Sequence, residues 1–215
     1  STIAVVPSVS HRNASLPDWL ADLSAQLGAK ARWDEVTLHL YSAAACFYHR
    51  PETIDDIRTA ARICWKHEIP ILPRGAGSSL SGNAVGKAVI LDLSHHFKDI
   101  ELLSDGRVRC GVSVVLNQLQ DRLKDQHRKF GPDPSSGNVC VIGGMLGNNS
   151  GGPHTIKHGS MINHVEEISV VLANGQLFKA RNIPLTEIAH LPDSDRYYCE
   201  HVKLLMEKYA GEITS

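Results

Sequence analysis

Apolar and polar positions alternate along this chain with periods that change every 10 to 20 residues. Leu16, Leu20, Leu23 and Leu27 recur at helical spacing behind Ser15, with Pro17 and Asp18 in the first turn and Gly28 as a stop. They predict a helix from Ser15 to Gly28 with a Ser15–Asp18 capping box. Ala43 to Tyr48 reads equally as a strand or a helical turn, closed by Pro51. A second capping box, Thr53 with Asp56, opens an amphipathic helix carrying Ile54, Ile57, Ala61, Cys64 and Trp65 to about His67. Two apolar runs, 69–73 and 88–93, read as strands. Residues 100–103 and 107–110 form a predicted hairpin around Ser104-Asp105-Gly106. Ser113 is placed to cap a helix bearing Val115, Leu116, Leu119 and Leu123. Ile168 to Leu172, the turn Ala173-Asn174-Gly175 and Gln176 to Ala180 predict a second hairpin. A last helix, Ser194 to Tyr209, gathers Tyr198, Val202, Leu205 and Met206 on one face.

Two stretches break these periods. The first, Pro73-Arg74-Gly75-Ala76-Gly77-Ser78-Ser79-Leu80-Ser81-Gly82, lies between two predicted strands. Glycine lets a ligand approach the backbone, and successive N–H groups in such a turn attract an anion. Arg74 and the hydroxyls of Ser78, Ser79 and Ser81 supply charge and donors. The loop therefore reads as a phosphate cradle, against the plainer reading of a turn. It lacks the Gly-Lys-Ser/Thr of a Walker loop, and its third glycine is too far along for the dinucleotide fingerprint of a doubly wound sheet. The second stretch, Phe130 to Pro153, is dense in glycine towards its end and reads as a long non-helical loop. Asn148, Asn149 and Ser150 give it amide and hydroxyl groups for a ligand edge. Together the two loops suggest opposite walls of one cleft.

Composition narrows the partners. With 215 residues the chain suits one large domain or two small lobes. A formal net charge of −1 offers no general attraction to nucleic acid or to a membrane surface, so any anion site must be local. No apolar run reaches the roughly 20 residues of a membrane span. The five cysteines are scattered without a C-x-x-C pair, which fits buried thiols in a reducing compartment better than zinc or iron–sulfur ligation. Twelve histidines tempt a metal reading. His154 and His158 sit in a Gly/Pro-bounded loop and His95-His96 lacks partners, so no metal site is expected. Asp55-Asp56 and Glu166-Glu167 read as cap and surface charges.

The motifs taken in order carry a resemblance. They are Pro-Arg-Gly-x-Gly-Ser-Ser-x-x-Gly, the Leu91–Ser94 strand end, Gly-Pro-Asp-Pro-Ser (131–135), Ile-Gly-Gly (142–144), Asn-Asn-Ser-Gly-Gly (148–152) and Val-Val-Leu-Ala-Asn-Gly (170–175). The chain resembles, from about Asp34 to Lys179, the PCMH-type FAD-binding domain of the vanillyl-alcohol-oxidase flavoproteins. It looks most like FAD-linked oxidases of the D-lactate dehydrogenase and glycolate oxidase flavin-subunit type, including fusions to an iron–sulfur domain. The resemblance implies an α+β fold of two lobes: a small α/β lobe, then a mostly antiparallel α+β lobe. The expected divisions are an arm and helix over 1–33, lobe one over 34–105 and an incomplete lobe two over 106–215. It implies that Pro73, Arg74, Gly75, Ala76, Gly77, Ser78 and Ser79 hold the FAD pyrophosphate, continued by Leu80, Gly82 and Asn83. Pro132, Asp133 and Ser135 would lie beside the cofactor. Gly143, Gly144, Gly147, Asn148, Ser150 and Gly152 would line the second wall, and Ile168 and Val170 the adenosine half.

Two departures refine these expectations. Some relatives link flavin covalently through a histidine after the first glycine pair; here Ser78 and Ser79 follow Gly77, so non-covalent FAD is expected. The family's cap-domain histidines and Gly-Asp-Gly-Asn-x-His motif have no counterpart here, so no catalytic residue is expected within 1–215. The resemblance then implies the flavin part of a dehydrogenase acting on a D-2-hydroxy acid such as lactate or glycolate, within a larger or split enzyme. Electrons would leave through an iron–sulfur domain or subunit, or to quinone. The expected location is cytoplasmic or peripheral to the inner membrane. The alternatives are an FAD-holding module that needs a catalytic partner, and the flavin reductase of cell-wall precursor synthesis, against which the Gly-Pro-Asp-Pro and Asn-Asn-Ser-Gly-Gly segments speak.

Overall fold

A computed structural model describes residues 18–32 and 47–213. Ser15 of the first predicted cap and residues 43–46 of the ambiguous segment lie outside them. The first helix, α1, spans Asp18–Leu27 and buries Leu20, Leu23 and Leu27, the face that the leucine spacing predicts. β1 (Ala31–Arg32) and β2 (Phe47–His49) pair antiparallel, so the described end of the ambiguous segment is a strand. α2 (Ile54–Lys66) starts at the predicted capping box: Thr53 accepts the Asp56 N–H at 3.1 Å, and Asp56 accepts the Thr53 N–H at 3.0 Å. β3 (Ile71–Arg74) and β4 (Val89–Asp92) complete a four-stranded sheet of order β1-β2-β4-β3, parallel except at β1. All four residues of β4 are buried, as a central parallel strand requires. β3 is the edge, where the missing N–H of Pro73 breaks no ladder bond.

Leu20, Leu23, Leu27, Ala60, Ile63, Cys64, Val89 and Leu91 form the first core. Each such fully buried leucine or isoleucine contributes about 1.5–3 kcal/mol of transfer free energy. Beyond it come β5 (Ile100–Leu102) and β6 (Val108–Cys110), the predicted hairpin. Helix α3 (Leu116–Lys124) follows. The short helices α4 (Ile142–Gly147) and α5 (Thr155–His158) come next, then the β7 (Glu167–Val171) and β8 (Leu177–Arg181) hairpin. Gly175, at φ +79°, makes that hairpin's turn. Val114, Leu116, Leu119, Leu123, Cys140, Ile142, Met145 and Met161 form a second core. Ile100 and Leu102 pack on it too, although they precede the division expected near 105.

Two local expectations are corrected. Ser113 does not cap α3, which begins three residues later behind Val115. Its buried hydroxyl instead donates to the Leu93 carbonyl and accepts the Phe97 N–H at 3.2 Å, tying the exit of β4 to the second core. The glycine-dense stretch is not wholly loop, because α4 runs through Gly143, Gly144 and Gly147. Tertiary anchors offset the glycine cost: Ile142 and Gly143 donate to the carbonyls of Val114 and Val112, and Ile142 and Met145 are buried.

The chain closes with α6 (Asp193–Lys208) and α7 (Ala210–Ile213). α6 docks on β8 through an edge-on Phe178–Tyr198 ring pair, but Val202, Leu205 and Met206 of its predicted inner face are exposed. No helix among the described residues is long and apolar enough to cross a membrane.

Candidate functional site

The glycine loop leaves β3 at the carboxyl end of the parallel strands, the end at which open α/β sheets receive ligands. Its walls are set by backbone packing. A Cβ on Gly75 would stand 2.6 Å from Val141 Cγ2 and 3.6 Å from the Gly144 backbone, so the two loops meet where only glycine fits. A Cβ on Gly143 would stand 2.7 Å from the Val112 Cβ, which brings α4 hard against the chain before α3. Asn83 Nδ2 donates to Asn148 Oδ1 at 3.0 Å, a second join between the walls. Between them opens a cleft of about 2220 Å³. That is well above the roughly 300–1,000 Å³ of drug-sized ligand pockets, and it suits a long, two-headed ligand.

Most of the sequence-predicted residues meet in this cleft. Pro73, Arg74, Gly75, Ala76, Gly77, Ser78, Ser79 and Asn83 line it from the first loop. Gly143, Gly144, Gly147, Asn148 and Ser150 line it from the second, and Ile168 and Val170 from β7. Leu80, Gly82, Pro132, Asp133, Ser135 and Gly152 are not among the lining residues. Leu80 stands fully exposed and Pro132 fully buried. Along 130–136 the cleft meets Phe130, Pro134 and Ser136 instead. Arg74 plays a different part from the one its charge suggests. Its Nη1 donates to the Ala84 carbonyl at 2.6 Å, and its guanidinium packs over Gly77. It braces the loop from within while lining the cleft, beside the backbone N–H groups and the Ser78 and Ser79 hydroxyls of this wall.

Several lining groups carry no sequence signal. Ile54, Ile57 and Trp65 read as a core face of α2, yet they border the cleft, Trp65 being 64% exposed. Helical spacing tells which residues share a face, not what the face meets. Arg107, Arg128, Lys129 and His164 border it as well. Arg107 is tied to Asp105 and Glu166, at 3.0 Å to the latter. Burial pushes the Cys64 thiol up to about 11 and raises those of Cys110 and Cys140, which disfavours their thiolates. Beside the cleft, His154 hydrogen-bonds Asp133 and holds its carboxyl below the usual range.

The donor set therefore fits a dinucleotide with a charged middle and two flat ends: a glycine cradle, amide and hydroxyl groups, and apolar residues of β7 and α2. Known proteins agree. The family model described as FAD binding domain matches residues 46–181. The D-lactate dehydrogenase of Archaeoglobus fulgidus is 32% identical over 130 residues, which are 60% of this chain and 29% of that protein. The glycolate oxidase subunit GlcD of Bacillus subtilis is 30% identical over 132 residues, covering 60% of this chain and 28% of that one. Among solved structures, alkyldihydroxyacetonephosphate synthase superposes with a TM-score of 0.65 at 16% identity, over 79% of this chain and 35% of that one. A chitooligosaccharide oxidase does so with the same TM-score and identity, over 79% and 38%. At that identity these structures speak for the fold, which is the two-lobed α+β fold expected from the motifs. The chain thus spans under a third of the length of these two sequence relatives. The match over 46–181, a range that contains both loops of the cleft, makes this chain a member of the FAD binding domain family.

Proposed function

We propose that this chain holds FAD without a covalent link and serves as the flavin part of a dehydrogenase for a D-2-hydroxy acid. The joining of both glycine loops around one elongated cleft, Gly75 on Gly144 and Asn83 on Asn148, carries the reading. Backbone N–H groups over Arg74 to Ser79 bind the pyrophosphate. Asn148 and Ser150 orient the ribityl side, and Ile168 and Val170 exclude water from the adenosine half. Asp133 and Gly152, packed on one another, support the second wall from outside the lining. Bound flavin supplies the hydride acceptor. The base that takes the substrate hydroxyl proton lies outside residues 1–215, and the electrons pass on to an iron–sulfur domain or subunit, or to quinone. Relatives named for D-lactate, D-2-hydroxyglutarate and glycolate oxidation support the substrate class.

The test is a visible spectrum of the purified protein after addition of FAD, followed by acid precipitation and by anaerobic addition of D-lactate, glycolate or D-2-hydroxyglutarate. A flavin spectrum, with the colour released into the acid supernatant, is expected. Protein that stays colourless after FAD addition overturns the cofactor reading, and a yellow pellet overturns the non-covalent one. A relative named as a subunit, the glycolate oxidase subunit GlcD, favours one further reading, a flavin-holding module that works on a catalytic partner. Flavin that is bound but left oxidised by all three acids supports that module.

A further inference from the structure

Asp133 was singled out by its motif as a residue beside the cofactor, and the structure turns it away from the cleft. Its carboxylate faces His154: one oxygen accepts the His154 backbone N–H at 3.3 Å and the other meets the ring Nδ1. The Asp133 backbone fills the space that a Cβ on Gly152 would need, so the two segments touch along their main chains. Thr155 extends the join, its hydroxyl accepting the Gly152 N–H at 2.7 Å and donating to the Gly152 carbonyl at 2.7 Å. On the other side Ser150 donates to the Met145 carbonyl at 2.9 Å, and its own carbonyl accepts the Met161 N–H at 3.0 Å. Just before these anchors Asn149, at φ +45°, ends α4: its N–H donates to the Leu146 carbonyl at 3.1 Å and its Oδ1 accepts the Ile162 N–H at 3.0 Å. Its neighbours Asn148 and Ser150 line the cleft.

We infer that Asp133 and His154 are positioning residues: their clasp pins residues 152–155 to the 133 segment and so fixes where the chain leaves Asn148 and Ser150, the residues that present the second wall to the cofactor. The inference rests on the FAD reading above for its ligand, and on the clasp geometry alone for its mechanism. Lys129 adds to the positive surroundings of the Asp133 carboxylate, and the His158 ring lies 6.4 Å from that of His154. The carboxylate thus reaches the site only through the loop that it pins.

The experiment compares the unaltered protein with H154L and H154N in FAD titrations followed by flavin fluorescence and visible circular dichroism. Asparagine can donate from about the place of Nδ1, whereas leucine cannot. H154L should weaken FAD binding about tenfold, the loss expected for one charge-assisted hydrogen bond, and change the dichroism of whatever flavin remains. H154N should restore both. Unchanged FAD binding in H154L overturns the inference, as does an H154N as weak as H154L. If the unaltered protein binds no FAD, the cofactor reading fails and the clasp is judged by hydrogen exchange. Faster exchange at 149–153 in H154L but not in H154N supports it, and equal exchange in all three overturns it.

Discussion

Gly75 carries more of the site than any charged residue in its loop. Its main chain lies against the Val141 side chain and close to the Gly144 backbone, and a methyl group there must push a stiff valine aside. G75A should therefore cost on the order of 1–3 kcal/mol, as overpacking does, read as a lowered Tm, together with loss of FAD. Gly147 behaves oppositely. Nothing lies within 4 Å of its added Cβ, and it sits inside α4 while lining the cleft. G147A should gain roughly 0.5–1 kcal/mol of stability in the ligand-free protein and yet weaken FAD, a split that thermal melts with and without FAD would show. In the sequence both are simply glycines of a glycine-dense stretch, Gly75 of the first and Gly147 of the second. Only the distances separate a packing glycine from a ligand-facing one. Arg74 teaches the same lesson: its charge is visible in the sequence, and its turn back to Ala84 is not.

Elements with local signals were legible, and those held by distant partners were not. Thr53 and Asp56 announce the start of α2, and the structure shows both halves of that capping box. Burial opposes ionisation of Asp56, but Lys30 at 2.9 Å and the backbone N–H groups of Glu52 and Thr53 hold it down to about 2. Its value in the folded chain lies below the model-peptide carboxylate, so the unfolded chain binds the proton first. The stabilisation is present above about pH 4 and is lost as pH falls towards 2. D56A should cost about 1–2 kcal/mol at neutral pH. Its Tm deficit against the unaltered protein should shrink as pH falls from 5 towards 2, a difference that melts across that range measure. α4 shows the converse. Its glycines argue locally against a helix, and its anchors at Val112 and Val114 lie some 30 residues away in the chain. Ser113 failed as a cap for a similar reason, since its hydroxyl serves Leu93 and Phe97 across the junction of the cores.

Among the described residues lie two cores and a cleft that residues of both border, and the sequence showed the two glycine loops of that cleft. What it did not contain is which apolar faces find a partner. Val202, Leu205 and Met206 follow helical spacing as well as any core residue, yet each is more than half exposed in α6. Replacing Leu205 and Met206 with lysine and glutamine should leave Tm nearly unchanged, within the roughly 0.5 kcal/mol of ordinary surface substitutions. The same double variant should bind less of a hydrophobic dye, which fluorescence titration would report. At this scale the meeting of Gly75 and Gly144 takes on a mechanical meaning. A contact made of side chains can be loosened by a rotamer change, residue by residue. Gly75 has no rotamers and the valine it meets has few, so the spacing of the walls at this point changes mainly by movement of backbone segments. The width of the cleft is thereby coupled to the packing of the two cores, and a substitution that shifts one core against the other would be felt as a change in fit for the cofactor.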